Sequence, residues 1–123
     1  MPVPILKLGD VLVASLQEAL TDQALLELRD RVAEAVGHSR ARGVILDVTA
    51  LDVVDSFATR TIRGIAYAAR LRGARTVVVG IQPEVAFAMV ELGLTLDGVA
   101  TALDLEEGLA VAQQARGSDR DAG

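Results

Sequence analysis

An α/β fold, a mostly parallel sheet covered by helices, is what this sequence predicts, and three observations carry the prediction. Short runs of Val, Ile and Leu alternate with longer segments whose apolar residues recur at helical spacing. Gly37, Gly73 and Gly93 fall where such helical segments run out. Gly43 to Val48 and Arg75 to Val79 are almost continuously apolar, the pattern of strands covered on both faces.

The elements follow in order. Ile5 to Leu8 and Val11 to Ser15 are short apolar runs split by Gly9-Asp10, a hairpin signal in a less common order. Thr21 or Asp22 caps a helix whose inward stripe is Leu25, Leu28, Val32, Ala35 and Val36, and Gly37 is expected to end it. After the strand Gly43 to Val48 comes an Asp55-Ser56 turn. A helix then runs from Phe57 to Arg72, with Ala58, Ile62, Ile65, Ala66 and Ala69 inward and Arg60, Arg63, Tyr67 and Arg70 outward. Arg75 to Val79 is the next strand. Pro83 suits the first position of a helix that stops at Gly93. Val99 to Ala102 is a short edge strand. Asp104-Leu105-Glu106-Glu107 has capping character and opens a helix reaching about Arg116. The order is ββαβαβαβα: one domain over residues 1–116, then a frayed, disordered tail over 117–123.

Composition narrows the chemistry. A chain of 123 residues buries about two-thirds of its unfolded surface without staples. Hydrophobic residues make up 51% and aromatics 2%, so the core is aliphatic and there is no platform for stacking bases or sugars. A net charge of −5 argues against a nucleic-acid surface. With no cysteine there is no disulfide, thiolate nucleophile or cysteine-bound metal, which suits the cytoplasm. The first residues are too short and too interrupted by proline for a signal peptide, and no apolar run approaches the roughly 20 residues that span a bilayer.

Most catalytic readings fail for want of parts. His38, the single histidine, lies in the polar stretch Gly37-His38-Ser39-Arg40 and reads as a solvated helix end. No Gly-x-Ser-x-Gly elbow, phosphate loop or dinucleotide fingerprint is present, and Gly80-Ile81-Gln82-Pro83 reads as a plain turn. Asp47, Asp52 and Asp55 allow a magnesium-dependent phosphoaspartate receiver. That reading is weakened because the one lysine, Lys7, sits on the first strand and the first strands lack an adjacent acidic pair at their ends.

What remains is Ser56, at the mouth of a helix with Asp52 and Asp55 behind it. Serine is a favoured N-cap, and with Thr59 rather than Glu or Gln three residues on, it would be a simple cap. A regulated hydroxyl is compatible with that role. Phosphate there would add about −1.5 to −2 charges, welcomed by the helix amides and repelled by Asp55 and Asp52. Arg60, Arg63 and Arg70 share one side of the following helix, which is either a solvated face or a docking rim for an acidic partner.

Five segments give the chain a family resemblance: Pro4-Ile5-Leu6-Lys7-Leu8, Val53-Val54-Asp55-Ser56-Phe57, Gly80-Ile81-Gln82-Pro83, Glu91-Leu92-Gly93 and Thr101-Ala102-Leu103-Asp104-Leu105-Glu106. With these the sequence resembles a STAS domain, the sulfate-transporter and anti-sigma-factor-antagonist family, and within it the short scaffold subunit of the bacterial stressosome. The resemblance implies a mixed sheet of about five strands with an N-terminal hairpin and about four helices. It also implies a non-enzymatic cytoplasmic protein without a cofactor or metal, whose Ser56 is phosphorylated by a serine/threonine switch kinase. Such scaffolds self-associate in a large complex with co-receptor paralogues that carry N-terminal sensory domains. The complex sequesters the kinase until phosphorylation releases it, and a metal-dependent serine phosphatase resets the mark. No nucleic acid or membrane is involved. Asp52 and Asp55 would set the charge around the phosphosite, with Arg60 and Arg63 on the docking surface. Two departures from the co-receptor pattern favour the scaffold: no room for a sensory domain before the first strand, and Ala88 where co-receptors tend to have a second phosphorylatable threonine. A stand-alone anti-sigma-factor antagonist, which uses the same serine, stays open.

Overall fold

The computed structural model describes the backbone of residues 2–18 and 20–122, with side chains as far as Gln113. Its elements are β1 (Ile5–Leu8), β2 (Val11–Ser15), α1 (Asp22–Ser39), β3 (Gly43–Asp47), α2 (Ser56–Leu71), β4 (Arg75–Val79), α3 (Pro83–Glu91), β5 (Ala100–Ala102) and α4 (Leu105–Ala122). This is the expected order. The five strands form one sheet in sequential order, β1 antiparallel to β2 and every other pair parallel.

Strand periodicity sorts the side chains onto two faces. Leu12, Ala14, Val44, Leu46 and Val78 point to one face, which they bury against α1, α2 and α3 through Leu28, Val32, Ile62, Ile65, Val85 and Met89. Val11, Val13, Ile45, Val77 and Val79 point to the other and are covered by α4 through Ala112 and Leu109. Two-sided burial explains why β3 and β4 read as continuous apolar runs. Sequential strand order with right-handed crossovers forces α1, α2 and α3 onto the same face. α4, which follows the last strand, is left to cover the other.

Close approach of α4 depends on small residues. A Cβ on Gly108 would lie 2.5 Å from Val79 Cγ1, and one on Gly43 would lie 3.0 Å from the Ala112 Cβ. The hairpin turn works because Gly9 takes φ +61° while Asp10 does not need a positive φ. That is the pattern of a turn with glycine at its first central position, so the Gly-Asp order fits the right-handed strand twist.

Two helix ends differ from the sequence expectation. α1 continues through Gly37 to Ser39, and Arg40 adopts the left-handed conformation with φ 53°, its amide bonded to the Val36 carbonyl. Gly37 instead makes room: a Cβ there would overlap the Arg72 guanidinium. α4 runs on to Ala122 rather than stopping near Arg116. The expected disordered tail, 117–123, falls on side chains outside the described residues. Three expected caps hold. Thr21 accepts from the Ala24 amide at 3.0 Å, and Pro83 opens α3. At α4 the Glu107 amide donates to Asp104 Oδ1 at 2.9 Å, while Glu107 Oε1 accepts from the Leu103 amide at 3.0 Å.

Candidate functional site

The loops at the carboxyl ends of β3 and β4 build the site, the end at which parallel sheets present their chemistry. Leaving β3, the chain is pinned at Val48, whose amide donates to the Val79 carbonyl at 3.0 Å. Asp47 Oδ1 then accepts from the Thr49 amide at 3.0 Å and the Thr49 hydroxyl at 2.6 Å, closing a tight turn. Gln82 Nε2 from the next loop donates to the Thr49 carbonyl at 2.8 Å. Gly80 completes the junction. Its φ is +81°, and a Cβ on it would overlap Thr49 Oγ1, so the close approach of the two loops requires glycine.

From this platform the loop alternates between anchoring and display. Leu51 and Val54 are buried in the core, whereas Asp52, Val53, Asp55 and Ser56 are exposed. Apolar burial on either side therefore turns the polar residues outward.

The helix cap is not where the sequence suggested. Asp55, with extended backbone, is the N-cap of α2: its Oδ1 accepts from the Ala58 amide at 2.8 Å. Its carbonyl also accepts from the Thr59 amide at 2.9 Å and the Thr59 hydroxyl at 2.8 Å. Ser56 is the first helical residue. Its hydroxyl makes no hydrogen bond among the described residues, and neither do the Ser56 and Phe57 amides. A carboxylate outcompetes a hydroxyl here because a charged acceptor bonds more strongly and favours the positive end of the helix.

The expected site residues separate into two groups. Ser56, Arg60 and Arg63 line one hollow of about 300 Å³ together with Thr59, closed on the far side by Gly93, Leu94 and Thr95 after α3. Residues 56, 60 and 63 share a helix face by spacing, but the α3 end opposite them is a tertiary contribution. Arg60 is exposed and Arg63 half-buried. The aspartates are not gathered there. Asp47 holds Thr49, Asp55 caps α2, and Asp52 lies beside Glu18 from the β2–α1 loop. A protonated Glu18 can donate to Asp52, and two ionised carboxylates would repel; in that order these raise the Glu18 pKa above its ordinary 4.5. Three acids with three separate structural tasks do not form the shared pocket that a receiver uses. Glu18, Gln82 and Thr95 were not singled out from the sequence, because only the fold brings them to Asp52, Thr49 and Ser56 respectively.

Comparison with known proteins adds an independent line. A family model described as the STAS domain matches residues 3–107. The RsbT co-antagonist protein RsbRA of Bacillus subtilis (strain 168) is 29% identical over 103 residues, 84% of this chain but 38% of that protein. The chain thus spans well under half the length of this relative. A structure of Moorella thermoacetica RsbS carrying a serine-to-glutamate change superposes with a TM-score of 0.79 at 38% identity, covering 93% of this chain and 97% of that one. A chain from a structure describing the molecular architecture of the stressosome, a signal integration and transduction hub, gives 0.77 at 38% identity, with 92% and 98% covered. The unphosphorylated anti-sigma factor antagonist SpoIIAA shares the fold, at a TM-score of 0.70 and 19% identity.

Proposed function

Because this chain belongs to the STAS domain family, we propose that it is an RsbS-like stressosome scaffold whose kinase binding is switched by phosphorylation of Ser56. The observation that carries the reading is the state of Ser56. Its side chain is exposed on the first turn of α2 and free of structural duty, because Asp55 already caps the helix. A hydroxyl that the fold does not use is available to a kinase at no cost in stability.

The local chemistry fits a phosphate. The free Ser56 and Phe57 amides point from the positive end of α2, a favourable place for an anion. Arg60 and Arg63 line the same hollow and supply counter-charge. Phosphorylation would therefore leave α2 intact while adding about −1.5 to −2 charges to a face that already carries Asp52, Asp55 and Glu18. A partner that docks on the unmodified face would lose affinity by charge repulsion. The serine-to-glutamate change in the solved RsbS relative is of the kind that mimics this charge.

The partners follow from the same reading. The name of RsbRA makes it a co-antagonist of RsbT, so an RsbT-type serine/threonine kinase is the partner to be sequestered. RsbRA-like paralogues are the co-receptors, and a metal-dependent serine phosphatase resets Ser56. Assembly requires surfaces that shed water. α3 offers Phe87 and Val90, 71% and 77% exposed, and Val53, Leu92 and Leu103 are also exposed. The reading is non-enzymatic and cytoplasmic. No helix among the described residues is long and apolar enough to cross a membrane.

The test is to incubate the purified chain with the cognate RsbT-type kinase and Mg·ATP, then map phosphate by peptide mass spectrometry. Phosphate confined to Ser56 is expected. Ser56→Ala should hold the kinase through the reaction and Ser56→Asp should bind it weakly. Phosphate at other positions, or release of the kinase from both variants as from wild type, would overturn the switch. Sizing with an RsbRA-like paralogue separates a scaffold, which enters particles of very high mass, from a stand-alone antagonist, which stays small.

A further inference from the structure

At the opposite end of the sheet from Ser56, where β4 begins, lies an open cleft of about 730 Å³. Its floor is Thr76 with Ala66 and Ala74, and its far wall is the α3–β5 segment from Gly98 to Ala100. Arg42, Arg70 and Arg75 complete the lining. No carboxylate among the described residues lines it, although acids outnumber Lys and Arg by 17 to 12 in the whole chain.

Helix-end preference explains only part of this. Arg70 lies in the last turn of α2, where a cation is favoured. Arg42 and Arg75 precede or open strands, where no such preference acts. Arg42 reaches Asp10 only at 3.6 Å, with both side chains about half exposed, a loose pair that a better anion displaces. Thr76 supplies the second, independent observation. The residue is 2% exposed, and its Oγ1 is buried with no hydrogen-bond partner. Strand alternation places its side chain on the helix-covered face beside Val44 and Val78, under α2. An unsatisfied hydroxyl in a native interior is uncommon, and this one lies directly beneath the cationic cleft.

We propose that this cleft binds a small organic phosphomonoester. Its phosphate would be held by Arg70 and Arg42 through planar, multi-donor guanidinium contacts. Its apolar body would lie over Ala66 and Val99, above the floor that Thr76 forms. The cleft volume falls within the range of small-molecule sites, and a mixed apolar and cationic lining suits a molecule of both characters better than a bare ion. Because the cleft is remote from the Ser56 hollow and shares no residue with it, the inference stands independently of the phosphorylation switch.

The experiment titrates the full-length, isotope-labelled chain with phenyl phosphate and, separately, with inorganic phosphate, reading amide NMR shifts. Phenyl phosphate should move Arg70, Gly73, Thr76 and Val99 saturably with a Kd of about 1 mM or tighter. Arg70→Gln should weaken binding about tenfold, the scale of one lost charge-assisted pair. Thr76→Val, which keeps the shape and removes the unpaired hydroxyl, should raise the melting temperature of the unliganded protein and leave the Arg70-dependent binding in place. The inference fails if the shifts do not saturate, if they spread equally over Arg29, Arg31, Arg60 and Arg63, or if Arg70→Gln binds as wild type. Equal affinity for inorganic phosphate would refute the organic body.

Discussion

Replacing Asp55 by Ala removes the acceptor of the Ala58 amide and a negative charge from the positive end of α2. Loss of an N-cap costs about 1 kcal/mol, within roughly 0.5–2, and loss of the charge–dipole term about 0.3–1 more. A total near 1.5 kcal/mol is therefore expected. Unfolding entropy of about 2.1 cal/mol/K per residue over 123 residues gives about 0.26 kcal/mol/K, so the melting temperature should fall by about 6 °C. Asp55→Asn keeps the oxygen and loses the charge, and should recover most of the loss. Ser56→Ala removes a hydroxyl that bonds to nothing, so its change should stay within about 0.5 kcal/mol. The chain has no tryptophan, so urea and thermal unfolding are best followed by far-ultraviolet circular dichroism. If Ser56→Ala cost as much as Asp55→Ala, the hydroxyl would be structural after all. Ser56 would then not be free for modification.

Gly80→Ala should cost about 2–5 kcal/mol. A left-handed φ contributes about 1–2 and overlap with Thr49 about 1–3. Adding Thr49→Ala should return the overlap part, and strict additivity in that double-mutant cycle would disprove the contact. Glu18 provides a pH signature. Its raised pKa means a stability gain complete below 4.5 and lost as pH rises through the folded value. Wild type should therefore gain on Glu18→Gln as pH falls from neutral towards 4.5, and a flat difference in melting temperature would refute the Asp52 pairing.

Local chemistry made most of the fold legible. β3 and β4 announced two-sided burial by their unbroken aliphatic runs, and Thr21, Pro83 and the Asp104–Glu107 pair announced helix starts, because each is an interaction within a few residues. Where packing or backbone geometry overrode a local preference, the sequence pointed to the wrong residue. Gly37 looked like a helix end until Arg72, brought beside it by the packing of α1 against α2, required the space. Ser56 looked like the cap of α2, and only backbone geometry at Asp55 placed its carboxylate on the Ala58 amide instead.

The sequence by itself determined the element order, the aliphatic core, the absence of thiol chemistry and the prominence of Ser56. Periodicity, composition and turn preference all act along the chain, so a linear reading captures them. The tertiary structure alone decided what surrounds that serine. It set Gly93–Thr95 across from Arg60 and Arg63, paired Glu18 with Asp52, and locked Gly80 against Thr49. It also gathered Arg42, Arg70 and Arg75 over the buried hydroxyl of Thr76. Arg70, Arg75 and Thr76 are close in sequence, but the other neighbours lie about 30 residues apart or more in the chain. Parallel strands joined by helical crossovers carry each loop back to the same end of the sheet, and that return is a property of the sheet rather than of any segment.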